Sequence, residues 1–194
     1  MIQKMNNELK LYCRLIRNRS IENQKAMSLF PDLYQVLSPA FSILRQELDS
    51  LVRVIYLLSI ESPEERQRLI ISTLSGHKWQ RQTLKGKWKN ITDKEMVDLA
   101  QKLNGWTLSV YKFGCAFIHL SDFHNHHVDD PFMKLKESEK NDILTHMRYY
   151  HGGPISDHPD MKELSRYLVS VLNKISGNLE CYLEDLKNNK HLDY

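Results

Sequence analysis

The sequence predicts an all-α fold, a single-domain bundle of about six or seven helices. Three observations predict it. Apolar residues recur at steps of three and four along nearly the whole chain, the period of a helix with one buried face. Helix caps and Gly or Pro stops punctuate those stripes. No segment shows a strand pattern comparable with them, and no fixed-period repeat occurs. With 194 residues, 41% of them hydrophobic, the chain is long enough to bury a core without disulfides or structural metal.

The first helix carries Ile2, Met5, Leu9, Tyr12 and Ile16 on one stripe. A second follows Ser38-Pro39, carries Phe41, Leu44, Leu48, Leu51, Ile55 and Leu58, and is expected to end near Ser59. Ser62-Pro63-Glu64-Glu65 offers an N-cap, a Pro in the first turn and two acids that favour the helix dipole, so a third runs from there toward Gly76. Thr92-Asp93-Lys94-Glu95 is a capping box for a fourth that closes at Asn104-Gly105. A fifth contains Leu108, Tyr111, Cys115 and Ile118 and gives way to a His-rich loop at about 122–131, where Pro131 ends any helix. The sixth spans about Glu137 to Tyr150 and stops at Gly152-Gly153-Pro154. Tyr149, Tyr150 and His151 there read as a hydrophobic corner with a capping histidine. The last is expected to be the longest, from after Asp157-His158-Pro159 through Leu164, Leu168, Ile175, Leu179 and Leu186.

Charge and cysteine usage narrow the classes. With 27 basic and 24 acidic residues the formal charge is +3, too near neutrality to mark a nucleic-acid binder globally. Cys13, Cys115 and Cys181 are odd in number and far apart, and read as reduced core residues. No run of 18 apolar residues and no leader-like N-terminus is visible, so the expectation is a cytoplasmic protein without membrane contact.

Locally the charge is concentrated. Residues 77–90 form an expected basic connector holding Lys78, Arg81, Lys85, Lys87 and Lys89 and no acid, interleaved with Trp79 and Trp88. Cations neutralise phosphates and indoles stack on unpaired bases, so this segment is the candidate RNA-binding element. Its alternative is a solvated connector anchored by its tryptophans.

Four of the nine histidines fall at 119, 124, 126 and 127. Lys112 and His119 lie seven residues apart, which on a helix returns them to nearly one face, roughly 10 Å apart along the axis. Gly114 between them costs about 1 kcal/mol in a helix and so implies that another backbone or a ligand comes close. His119 is either a proton-transfer group, with Ser121 and Asp122 orienting it, or a partly buried helix-end histidine satisfied by a neighbouring Ser or Asp. Arg53, between Val52 and Val54, needs a partner: Asp49 one turn earlier, or a place in the same groove as His119. His119, Asp122, His124, His126, His127, Asp129 and Asp130 contain metal-ligand types, but His119 and His124 are five apart and no HExxH occurs. No metal or cofactor is therefore expected; had one bound, His119, His124, His126 and His127 would hold it.

The segment Gln46-Glu47-Leu48-Asp49-Ser50-Leu51-Val52-Arg53 on a long apolar helix, followed by a later helix ending Phe117-Ile118-His119-Leu120-Ser121, resembles HEPN-type proteins. That resemblance implies an all-α bundle. It also implies metal-independent RNase activity in toxin–antitoxin or antiviral defence systems, in a homodimer whose paired Arg-x(4–6)-His motifs form one composite site. His119 matches the motif's histidine, while Lys112 stands where the family has Arg. Lys keeps the positive charge but lacks the bidentate fork. The alternatives are a non-catalytic interaction or dimerisation module with a partner protein, associating through the second and last helices, and a metal-dependent hydrolase built on the His119–Asp130 cluster. No Gly-rich phosphate loop or nucleophile motif is present.

Overall fold

Helix α2 (Leu37–Leu58) runs through the middle of the molecule, and the other long elements pack around it. The computed structural model describes residues 2–83 and 85–192, with side chains from residue 7 onward. Among the described residues there are eight α-helices. They are α1 (Ile2–Ser28), α2, α3 (Pro63–Leu74), α4 (Asp93–Asn104), α5 (Thr107–Ile118), α6 (Glu137–His151), α7 (Met161–Ser165) and α8 (Leu168–Lys187). Short 3-10 turns occupy Leu33–Val36 and Asp122–Asn125.

Buried positions repeat at three and four along α2, including Leu44, Leu48, Leu51, Ile55 and Leu58, and the helix packs against α8, α5, α4 and α1. The second, fifth and last stripes meet in one core, as their spacing predicts. On α1 the buried face is Tyr12, Cys13, Ile16, Ser20, Asn23 and Met27, whereas the Ile2 and Met5 positions lie outside the described side chains. The capping box forms in full: the Glu95 N–H donates to Thr92 Oγ1 at 3.2 Å and the Thr92 N–H donates to Glu95 Oε2 at 3.1 Å. That backbone hydrogen bond, first among several causes, lowers the Glu95 pKa. Gly105 ends α4 in the left-handed region, φ 73°.

The expected long last helix is two helices. Ser165 Oγ donates to the Lys162 carbonyl at 2.8 Å, and Arg166 and Tyr167 close i to i+3 bonds, which tightens the chain into a break before α8. Tyr167 then packs against Gly153, where a Cβ would collide with the phenol oxygen. The longest helix is α1, with 27 residues. Tyr149 and Tyr150 are exposed rather than forming an apolar corner. Cys13 is buried, but Cys115 is half-buried and Cys181 exposed, so the core reading of the cysteines holds only for the first.

The close approach implied by Gly114 is internal. A Cβ there would lie 2.8 Å from the Cβ of Arg45, so α5 crosses α2 where only glycine fits beside that side chain. Gly114 therefore serves α5–α2 packing and gives no support to a dimer contact. No described helix is long and apolar enough to cross a membrane.

Segment 77–91 is not an open connector. It is a two-stranded antiparallel hairpin of β1 (Gln80–Gln82) and β2 (Trp88–Asn90), in register Gln80 to Asn90, Arg81 to Lys89 and Gln82 to Trp88. Thr83 and Lys87 close its end: the Thr83 N–H donates to the Lys87 carbonyl, and the Gly86 N–H to the Thr83 carbonyl, both at 2.8 Å. Gly86 supplies the positive φ, 73°, that this turn demands. Ile91 N–H to Trp79 carbonyl, 2.9 Å, closes the base.

Candidate functional site

Helix α5 runs antiparallel to α2. Ser38 Oγ donates to the Phe117 carbonyl at 2.9 Å, Phe41 stacks on Phe117 and Phe113 with ring centres 4.7 and 5.4 Å apart, and Arg45 meets Gly114 and Tyr111 further along. The C-terminus of α5 is thus pinned beside the start of α2. His119 is the residue that ends α5, with extended backbone (φ −90°, ψ 139°) and an exposed side chain. Because helical phase stops at Ile118, the same-face relation with Lys112 does not carry through to His119. Lys112 instead pairs with Glu139 on α6. Arg53 lies fifteen residues along α2 from Ser38, about 22 Å at 1.5 Å per residue. It sits over the Trp79 ring, 5.1 Å from the centroid, and faces Asp93 at 3.4 Å. One chain therefore does not gather His119, Lys112 and Arg53.

Asp49, the expected partner of Arg53, is taken by Arg45, which is buried and also reaches Asp93 at 3.2 Å. Asp93 bridges the two arginines at the start of α4. Arg45 was the residue the spacing could not single out, since Asp49 is four positions from both. The crossing at Gly114 decides it by holding the Arg45 stem against α5.

Neither neighbour of His119 orients it. Ser121 Oγ donates to the Ala116 carbonyl at 2.7 Å and accepts from Phe123 N–H at 3.3 Å, so it caps the 3-10 turn. Asp122 binds Lys134 at 2.8 Å, and this hydrogen bond lowers its pKa. His119 is therefore not the Ser- or Asp-satisfied helix-end histidine either. Its imidazole makes no hydrogen bond or ring contact among the described residues.

The other three histidines pack rather than converge. His124 Nδ1 lies 3.2 Å from the Ser121 carbonyl and 3.3 Å from its N–H. His126 and His127 lie 4.0 Å apart, centroid to centroid, and both meet the edge of Tyr34. Burial, then the charge of His127, lowers the His126 pKa. Protonation of His126 is thus unfavourable in the fold, and its contribution to stability is lost as pH falls below the ordinary histidine range. Among the described residues no three His, Cys, Asp or Glu come together as ligands would.

The basic hairpin places its residues unequally. Trp79 is 2% exposed and donates its indole N–H to Thr73 Oγ1 at 2.8 Å, so it anchors the hairpin and offers no face to a ligand. Arg81 is paired with Glu95 at 2.6 Å. Lys78, Lys85, Lys87 and Lys89 are exposed and make no ion pair among the described residues; Lys89 lies opposite Arg81, and its charge is the last among the causes that lower the Glu95 pKa. Trp88 is 56% exposed. Arg68 of α3, which no sequence spacing ties to the hairpin, places its guanidinium 5.0 Å from the Trp88 ring centre and donates to the Gln80 carbonyl. The arrangement holds the indole by a cation on one side. Lys87 immediately precedes β2, and Trp88 and Lys89 lie in it, so successive side chains turn to opposite faces, and no other described strand pairs with the outer edge of β2. No family model, curated protein or solved structure matches this chain.

Proposed function

We propose that this protein binds single-stranded RNA through the β1–β2 hairpin, with Lys85, Lys87 and Lys89 on phosphates and Trp88 stacked on an unpaired base. The observation that carries this reading is the exposed Trp88, backed by Arg68 and flanked in sequence by Lys87 and Lys89, which have no salt-bridge partner among the described residues. Cations that are not already paired can release counterions from a phosphate chain, and an indole reads any base by its face. Lys78 extends the same surface; Trp79 and Arg81 serve the hairpin's own structure. RNA as the substrate class is what the resemblance to HEPN-type proteins implies, as is a place in a toxin or antiviral system.

Trp88→Ala is expected to weaken binding of a single-stranded oligonucleotide about tenfold, since stacking contributes about 1–3 kcal/mol per base, and to leave duplex binding nearly unchanged. Fluorescence anisotropy at fixed salt, with helicity checked by circular dichroism, measures both. Equal losses on the two substrates would remove stacking from the reading.

A second reading is metal-independent cleavage at a site shared by two copies, with His119 transferring the proton. It is favoured by an exposed His119 imidazole that none of the described residues engages. His119→Ala should then abolish cleavage with binding intact, because a general acid or base contributes about 10²- to 10⁴-fold to rate and nothing to phosphate contacts. Cleavage that survives in the purified variant, or that EDTA stops, excludes it.

A further inference from the structure

On the side of the molecule formed by α5, α6, α7, α8 and the first half of α2 lies a half-open cavity of about 90 Å³. Its walls are apolar: Leu44, Phe113, Met147, Leu164 and Leu168 are all buried there. A recess of this size lined by such side chains is a place where something apolar fits. Its rim is of another kind. His146 and His151 of α6 and Lys174 of α8 border it, and no carboxylate does.

Lys174 is half-buried with its ammonium 4.5 Å from the centre of the Tyr150 ring, and it makes no ion pair among the described residues. His151 is half-buried beside it; burial, then the Lys174 charge, lowers its pKa. His146 is already committed through Nδ1 to the Asp142 carbonyl at 2.7 Å. Lys174 and His151 thus leave one cation and one imidazole at the mouth of an apolar hole, with no counter-charge.

We propose that this cavity binds a small apolar monocarboxylate, whose chain enters among Leu44, Phe113 and Leu168 and whose carboxylate pairs with Lys174 and His151. A cavity of roughly 150 Å³ accepts a six-carbon benzene ring, so this one takes a tail of about three or four carbons. One formal cation and one imidazole match a single negative charge. A phosphate dianion asks for more donors than this rim offers, and a neutral ligand makes no use of the Lys174 charge. Nothing in the RNA reading uses these residues, so the two proposals stand or fall separately.

Pentanoate is the probe, with pentanamide as its uncharged counterpart, titrated into the whole protein and followed by the Met147 methyl and His151 ring resonances. Pentanoate is expected to shift both saturably and to bind at least tenfold more tightly than pentanamide. Lys174→Met keeps the apolar stem and removes the charge, and should cost pentanoate about tenfold while leaving pentanamide unchanged. His151→Gln gives a second test of the rim, with a smaller loss expected. Val171→Phe, at a half-buried wall position, should block both probes while the melting temperature stays near that of the parent. Absence of saturable shifts at these resonances overturns the proposal. So does equal affinity for the two probes that Lys174→Met does not alter, because the rim would then read no charge.

Discussion

Glu47→Ala is expected to lower the unfolding free energy by about 3–5 kcal/mol, a large part of the roughly 5–15 kcal/mol that a domain of this kind has in total. Glu47 is 0% exposed in the middle of α2, and three side chains from two other helices converge on it. Ser20 and Asn23 donate from α1, the latter at 2.8 Å to Oε2, and Ser176 donates from α8 at 2.9 Å to Oε1. Truncation leaves those donors facing a void, and each buried unsatisfied group costs about 1–3 kcal/mol before the cavity itself is counted. Glu47→Gln keeps the volume and one acceptor oxygen but turns a donor toward groups that already donate, so a smaller loss is expected. Urea unfolding followed at 222 nm measures both. A Glu47→Ala protein within about 1 kcal/mol of the parent would mean that α1 and α8 are held to α2 by their apolar stripes alone.

Glu47 also marks where the sequence stops being readable. It lies one residue before Leu48 in an apolar stripe, and nothing local says that its carboxylate points inward, because its partners are 24 to 129 positions away. Features decided within one turn of chain were legible: the Thr92–Glu95 box, the Ser62 cap, the Gly105 stop and the end of α2 at Ser59. Features decided by a choice between equal neighbours were not. Asp49 is four positions from Arg45 and from Arg53, and only the α5 crossing at Gly114 assigns it. Gly114 itself was legible as a close approach, but not what approached. The Ser165–Tyr167 break hides under an unbroken apolar stripe, since Leu164 and Leu168 keep helical spacing across it.

The hairpin escaped for a different reason. Its strands have three residues each, all exposed, so no period-two alternation of apolar and polar residues exists to be seen. A weak signal was there: Gly86 lies between Lys85 and Lys87, with Trp79 and Ile91 placed to close the base. The candidate site divided along the same line. The concentration of charge in residues 77–90 could be counted, but which cations remain unpaired could not, because Arg81 meets Glu95 and Trp88 meets Arg68 only in three dimensions.

That division sets the size of the last expected effect. Replacing Lys85, Lys87 and Lys89 together by Gln should lower the slope of log affinity against log salt by about two, since each phosphate contact to a single strand contributes about 0.7 to the slope. Affinity at 0.1 M salt should then fall about a hundredfold, with the two proteins converging as salt approaches 1 M, where counterion release no longer drives binding. Arg81→Gln alone should move the slope little, because its guanidinium is already neutralised by Glu95. The triple variant has a formal net charge of 0, with 24 basic and 24 acidic residues, so a change in overall charge has to be separated from a change in the hairpin. Lys25, Lys102 and Lys162, exposed on α1, α4 and α7 and without an ion pair among the described residues, make the comparison: replaced by Gln they give the same net charge with the hairpin intact. If both triples flatten the salt dependence alike, binding follows the summed charge of the protein and the hairpin is a structural appendage. If only the hairpin triple does, the phosphate contacts lie beside Trp88, where an unpaired base can reach the indole while its backbone lies along β2.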